Sequence, residues 1–366
     1  MTTHDPHRGD RPPHPALTTR LVGLTGVRYP IVQTGMGWVA GPRLVSATAQ
    51  AGALGILASA TMTLDELRAA IADVRSRTDA PFGVNLRTDA TDAAERIALI
   101  IDEGVKVASF AQAPKPEMVR RLRESGVVVM PTVGARRHAE KVAEWGVDAV
   151  IAQGMEGGGH TGQVPTTLLL PEVVDAVGRD VAVVAAGGFS DGRGLVAALA
   201  YGADGIAMGT RFLLTRESRV PDEVKSLYLG TPVTGTVVTT RVDGAPQRVV
   251  RTDVVDHLER AGRLTALPRA ARNALAFRRQ TDMSIRTLAQ EGLSLKKSAE
   301  LTWAQVVMAA NAPMMTKAAL VEGRTDAGVL PTGQVVGNID EIPTVAELVN
   351  RMVEQAEEVL VRLSPG

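Results

Sequence analysis

Ala149-Val-Ile-Ala-Gln-Gly-Met-Glu-Gly-Gly-Gly-His-Thr-Gly162 opens as an apolar, β-branched run and closes on three consecutive glycines, a histidine, a threonine and a glycine. A short apolar run bounded by glycine is the pattern of a strand buried on both faces. The glycines let backbone approach a bound group with no side chain in the way. His160 then stands at the strand mouth with a ring that titrates near neutrality. The stretch predicts a strand that ends in a ligand site, and the number of similar strand ends decides the fold.

The same unit recurs from Tyr29 to Phe212, an apolar run followed by a helical stretch, most of those helices ending in glycine. The runs are Ile31–Gln33, Leu54–Ser59, Phe82–Leu86, Val105–Phe110, Val127–Val133, Ala149–Gln153, Ala182–Ala186 and Gly205–Met208. Amphipathic stretches between them include Leu64–Arg77, opened by a Thr63…Glu66 capping box, with Ala93–Glu103, Pro116–Glu124, Ala135–Trp145 and Leu195–Tyr201. Gly52, Gly104, Gly126, Gly146, Gly178 and Gly202 fall where a left-handed residue ends a helix. Alternating strands and helices imply parallel strands, and eight of them close into a TIM (β/α)8 barrel. An open doubly wound sheet is the competing arrangement. It would carry one glycine fingerprint after its first strand, whereas here the richest glycine turns follow the sixth, seventh and eighth runs.

Beyond Phe212 the rhythm breaks. Gly235–Val242 and Gln247–Thr252 flank Asp243-Gly244, a hairpin signal. Helices follow, including one expected around Leu301–Val321, and Thr344…Glu347 opens an amphipathic helix over Val345–Leu363. That last helix is the eighth of the barrel on this reading. The expected organisation is a disordered tail over 1–18, a barrel from 19–212 and 343–366, and a mainly helical lid inserted over 213–342, between strand eight and helix eight.

The balance of charge narrows the partners. Lys+Arg and Asp+Glu both total 40, so nothing points to nucleic acid or to a polybasic membrane contact. No apolar run approaches a membrane span, and the N-terminus lacks the apolar core of a secretory signal. The chain has no cysteine, which excludes disulfides, iron–sulfur clusters and thiol nucleophiles. A cytoplasmic location is the expectation. His4, His7 and His14 lie in the tail, and His138 and His257 lie on expected surface helices, so no metal site is expected.

A barrel places its active site at the strand C-termini. Gly187-Gly188 and Gly209-Thr210 end strands seven and eight, where backbone N–H groups and a hydroxyl meet a phosphate. The alternative is that these glycines only make tight turns. Asn85 and Gln153 end strands three and six, and Thr132 ends strand five. The two amides either satisfy loop backbone or bond to a flat heteroaromatic ring that offers both donor and acceptor. Gly35, Met36 and Gly37, after Gln33, would let strand-one backbone touch such a ring. Phosphate plus ring means a mononucleotide, and FMN fits best. Gly158 and Gly159 would admit it, and His160 would move a proton unless it is a satisfied core histidine. Glu156 either enters the site or fixes the glycine loop. Arg211, Arg241 and Lys317 could meet phosphates, with solvated surface positions the plainer expectation.

Pro30-Ile-Val-Gln33, Phe82-Gly-Val-Asn85, Ala152-Gln-Gly-Met-Glu-Gly-Gly-Gly-His160, Ala185-Ala-Gly-Gly188 and Met208-Gly-Thr-Arg211 together resemble the nitronate monooxygenase family, formerly called 2-nitropropane dioxygenase-like, and its flavin-dependent enoyl-reductase relatives. The likeness returns at Gly333-Gln334 and Gly337. It implies a TIM barrel holding FMN, flavin contacts at Gly35, Met36, Asn85, Gln153, Gly187, Gly188, Gly209 and Thr210, and catalysis by His160, with Gln33, Gly37, Thr132, Gly158, Gly159 and Gln334 as further cofactor-binding candidates. One departure is the turn Thr34-Gly35-Met36-Gly37-Trp38, where the family commonly has Pro-Met-Ala-Gly. That change suits a bulkier substrate than a nitronate. The stretches Gln33–Thr63, Leu168–Leu170 and Leu301–Pro313 resemble an actinobacterial branch that acts on hydroindane-type acyl-CoA thioesters in steroid-ring degradation. The resemblance therefore implies oxidation of a carbon–carbon bond in an acyl-CoA, with nitronate oxidation or NAD(P)H-dependent enoyl reduction as alternatives. NAD(P) is a candidate electron partner, and a homodimer stays open. A flavin-free phosphate-binding barrel is the competitor from another class.

Overall fold

The structure is a computed structural model that describes residues 12–260 and 313–364. Eight parallel strands close into a barrel: β1 (Ile31–Gln33), β2 (Leu54–Ala58), β3 (Phe82–Leu86), β4 (Val107–Phe110), β5 (Val128–Val133), β6 (Ala149–Gln153), β8 (Ala182–Ala186) and β9 (Gly205–Met208). Closure is made by β9 against β1, with Ile31, Val32 and Gln33 beside Ile206, Ala207 and Met208. Inside the barrel, Val32, Ile56, Met130, Ile151 and Val184 fill the lumen, so it is a packed core and not a channel. Leu21 joins that inner cluster from α1 (Arg20–Thr25), which plugs the bottom of the barrel.

The capping boxes are present at both expected places, Thr63 with Glu66 and Thr344 with Glu347. Of the expected helix-ending glycines, Gly52, Gly104, Gly126, Gly146 and Gly202 take positive φ. Gly178 does not. Its φ is −64° and it simply extends the helical turn, donating to the Val174 carbonyl. The chain also joins the fold before residue 19: Pro15–Leu17 forms a 3-10 turn and Leu17 is fully buried, so the expected tail gives way within its last residues. Residues 1–11 lie outside the described residues.

After β9 the chain leaves the barrel through α10 (Asp222–Leu229), a hairpin of β10 (Thr236–Thr239) and β11 (Gln247–Val250), and α11 (Asp253–Arg260). The expected Leu301–Val321 helix is seen over 313–320, its earlier part being outside the described residues. The C-terminal helix Val345–Leu363 packs between α8 (Gly192–Ala200) and α2 (Pro42–Gln50), the place of an eighth barrel helix. One element escapes the sequence reading. Gly159–His160 forms a short strand, β7, which pairs antiparallel with β11. The glycine-rich loop after β6 is therefore stitched to the hairpin. No helix among the described residues is long and apolar enough to cross a membrane.

Candidate active site

The loops after β6, β8 and β9 converge because their glycines let backbones touch. At Gly187, with φ +95°, a Cβ would stand 3.0 Å from both the Gly154 carbonyl oxygen and the Thr166 hydroxyl. Thr166 opens α7 (Thr166–Val177). Its hydroxyl lies 2.7 Å from Glu156 Oε2 and 3.0 Å from the Gly187 carbonyl, and its N–H lies 3.0 Å from the same carboxylate. Glu156 thus fixes the glycine loop to a helix start. On the loop's other side, a Cβ at Gly158 would meet the Thr332 carbonyl carbon at 2.4 Å. Gly333 N donates to Thr210 Oγ1 at 2.8 Å, and Gln334 N donates to the Glu156 carbonyl at 2.9 Å. The returning segment is anchored below by buried Tyr228, whose hydroxyl donates to the Pro331 carbonyl at 2.9 Å.

These distances separate two kinds of glycine. Gly157 and Gly158 are filled by the chain itself, Gly157 by the Gln153 side chain at 2.8 Å. Gly159 has nothing within 4 Å of a built Cβ, and Gly188 has only the Glu156 side chain at 3.8 Å. The chain itself leaves the space beside these two open.

Across the mouth, Gly35 lies against Asn85, whose Nδ2 reaches Ser109 Oγ at 3.4 Å. Gly209 lies beside Thr34 and Met36. Gln33 is wholly buried: its Nε2 donates to the Ile56 carbonyl at 3.2 Å and to the Thr34 carbonyl, while its Oε1 has no protein partner. Trp38 is the one non-glycine with positive φ among the described residues, at +67°, and the Lys317 ammonium lies 5.7 Å from its ring centroid.

His160 is the pivot of the site. Its side chain is 67% exposed, and Nε2 lies 2.7 Å from Oδ2 of Asp243, which is only 12% exposed. Asp243 sits in the hairpin turn, where its Oδ1 also accepts from Ala245 N at 3.1 Å. The hydrogen bond to this carboxylate raises the His160 pKa above its ordinary 6.5, against a smaller opposing effect of burial. Burial would push the Asp243 carboxyl up, but the His160, Ala245 and Gln247 hydrogen bonds together hold it below its usual value. Gln153 Nε2 donates to the His160 carbonyl at 2.7 Å.

A model of the nitronate monooxygenase family matches residues 18–98 and 90–355. The chain is 60% identical over 341 residues, 93% of its length and 96% of the relative's, to a (3aS,4S,5R,7aS)-5-hydroxy-7a-methyl-1-oxo-octahydro-1H-indene-4-carboxyl-CoA dehydrogenase of Mycobacterium tuberculosis. It is also 60% identical to the dehydrogenase of the same name from Rhodococcus jostii, over 93% of this chain and 96% of that one. Among solved structures, FabK from Thermotoga maritima superposes with a TM-score of 0.75 at 34% identity, covering 94% of this chain and 98% of the other. The chain belongs to the nitronate monooxygenase family. It is an oxidoreductase.

Within this family framework the residues expected from sequence divide. Gly35, Met36, Gly37, Asn85, Thr132, Gly159, Gly188 and His160 are half-buried or exposed at the strand ends, and Gly209 and Thr210 close the ring at β9. Gln153 acts first on loop backbone, the plainer of its two expectations, and Gly158 and Gly187 are explained by approach of the chain to itself. Gln334 stands next to the Gly333–Thr210 bond. Arg211 corrects its expectation as a solvated surface residue: it is 4% exposed, donates through Nη2 to the Leu214 and Glu341 carbonyls, and burial depresses its pKa to about 10. Asp243 and Thr166 were not singled out for the site. Asp243 was legible only as a turn residue, since nothing in its spacing from His160 announces contact across 83 positions.

Proposed function

We propose that this protein is an FMN-dependent oxidoreductase that dehydrogenates a carbon–carbon bond of an acyl-CoA thioester, a hydroxy-hydroindanone-carboxyl-CoA of steroid-ring degradation. The observation that carries the substrate is the near full-length likeness to two dehydrogenases named for that compound. The fit of FMN rests on the open glycines Gly159 and Gly188 and on the unpartnered acceptor Gln33 Oε1. Gly35, Met36, Gly37, Asn85, Thr132, Gln153, Gly159, Gly188, Gly209, Thr210 and Gln334 are the residues that would hold it. When bound, FMN supplies a two-electron acceptor.

The protein's own contribution is proton movement and placement. A thioester carbonyl acidifies the adjacent Cα–H. His160 takes that proton; the electron pair left on Cα becomes the new C=C bond as hydride leaves Cβ, for which bound FMN would supply the acceptor. A positioned general base of this kind contributes roughly 100-fold to 10,000-fold in rate. The hairpin of β10 and β11, proposed as part of a lid, would exclude water from the strand ends. NAD(P) is proposed as the partner through which electrons leave the site. A second reading, nitronate oxidation with oxygen, follows from the family model.

The test is His160→Ala, assayed for bound flavin and for turnover of an acyl-CoA. The variant is expected to keep its yellow colour and lose about 100-fold or more in kcat. Full turnover would overturn the role of His160. Oxygen uptake with an alkyl nitronate and none with the thioester would favour the second reading.

A further inference from the structure

Two backbone anchors leave the His160 side chain little freedom at its base. β7 places His160 opposite Gln247 of β11, and Thr161 N donates to the Pro246 carbonyl at 3.1 Å. From the other side, the Gln153 amide holds the His160 carbonyl. The ring is then engaged at one nitrogen. Nε2 faces Asp243 at 2.7 Å, and no hydrogen bond to Nδ1 is present among the described residues. Asp243 is itself braced by Ala245 N and Gln247 and is buried far more than the ring it holds.

A carboxylate can only accept from a neutral imidazole, so the proton of the neutral ring lies on Nε2. We propose that Asp243 is a positioning residue that fixes this tautomer and leaves Nδ1 as the nitrogen that exchanges a proton with substrate, a reading that rests on His160 being the base of the reaction above. When Nδ1 gains the α-proton, the resulting imidazolium is held by the Asp243 carboxylate, which stays ionised. The arrangement makes part of the site belong to the hairpin between β10 and β11, outside the barrel strands.

The groups packed around the ring are consistent with one electrostatic partner. Gln153 and Gln247 are uncharged. Arg248, next on β11, turns its guanidinium to the Met155 carbonyl at 3.0 Å, and Glu156 is bound to Thr166. Arg241, in the same turn, places its N–H on Thr239 Oγ1. Asp243 is the charged group that acts on the His160 ring.

The experiment is nitrogen NMR of histidine-labelled full-length protein across pH, with His160→Gln to assign the signal, compared with Asp243→Asn. The expected wild-type ring titrates above 6.5, with the neutral form protonated at Nε2. In Asp243→Asn the midpoint falls, and kcat falls at least about tenfold with KM changed less than about threefold, while the pH limb of kcat moves in the same direction as the NMR midpoint. A neutral ring protonated at Nδ1 in the wild type, or an unchanged midpoint in Asp243→Asn, overturns the proposal. If Asp243→Asn loses its fold, Asp243→Glu serves: a positioning role predicts partial retention of the raised midpoint, and an ordinary midpoint in that folded variant contradicts it. The NMR readout needs no substrate, so failure of the acyl-CoA reaction with the tautomer intact would sink the functional reading alone.

Discussion

Gly35 lies so close to Asn85 that a Cβ on the glycine would stand 2.5 Å from the Asn85 Cβ. The turn after β1 and the end of β3 are one surface, and Asn85 is aimed by contact with a residue that has no side chain. Gly35→Ala should therefore push Asn85 out of place, at a cost of about 1–3 kcal/mol in stability. The flavin-to-protein ratio after purification should fall with it. A variant with unchanged melting temperature and full flavin content would show that the contact relaxes without consequence.

Thr166 ties Glu156 to the Gly187 carbonyl. Thr166→Val keeps the volume but removes the hydroxyl, leaving a half-buried carboxylate oxygen short of a donor. The expected loss is about 1–3 kcal/mol by denaturant unfolding. Serine at the same position should restore most of it, because the hydroxyl returns. Equal stability of the valine and serine variants would contradict this account of the loop.

Trp38 adopts a left-handed backbone that costs a side-chain-bearing residue about 1 kcal/mol or more. Its ring also receives the Lys317 ammonium. Alanine keeps the backbone cost and loses the ring, whereas glycine loses the ring and removes the cost. Trp38→Gly should thus be more stable than Trp38→Ala by about 1 kcal/mol. The reverse order in thermal unfolding would mean that the turn is not held in this conformation.

The His160–Asp243 pair has a defined pH window for stability. The His160 pKa is raised, so its contribution is fully present below the ordinary value of 6.5 and is lost as pH rises through the higher folded value. The Asp243 pKa is lowered, so its contribution is present above the ordinary 3.8 and is lost as pH falls through the lower folded value. Stability of the wild type relative to Asp243→Asn should be greatest between these two ordinary values. The difference should stay under about 1 kcal/mol because the imidazole is largely exposed. A difference that grows steadily toward alkaline pH would have the wrong sign.

The barrel was legible because its signals are local. β-branched runs such as Ala149–Gln153, a capping box at Thr63 and glycines at helix ends each report on a few neighbouring residues. The strand-end residues were legible for the same reason, once the strands were placed. What sequence could not supply is contact between distant segments. Asp243 announces a turn, and only the pairing of β11 with β7 brings it to His160. Gly158 announces an open backbone, but Thr332 and Gly333 occupy that space. Arg211 looks like any arginine after a glycine–threonine turn until the returning chain covers it.

The most direct measurement is anaerobic mixing of the purified, FMN-loaded protein with the hydroxy-hydroindanone-carboxyl-CoA, followed through the flavin's visible absorption. The account predicts stoichiometric bleaching by the thioester, with a desaturated acyl-CoA formed and no bleaching by the thioester in His160→Ala on the same timescale. Wild-type flavin that stays oxidised with the thioester but is reduced by an alkyl nitronate would contradict it.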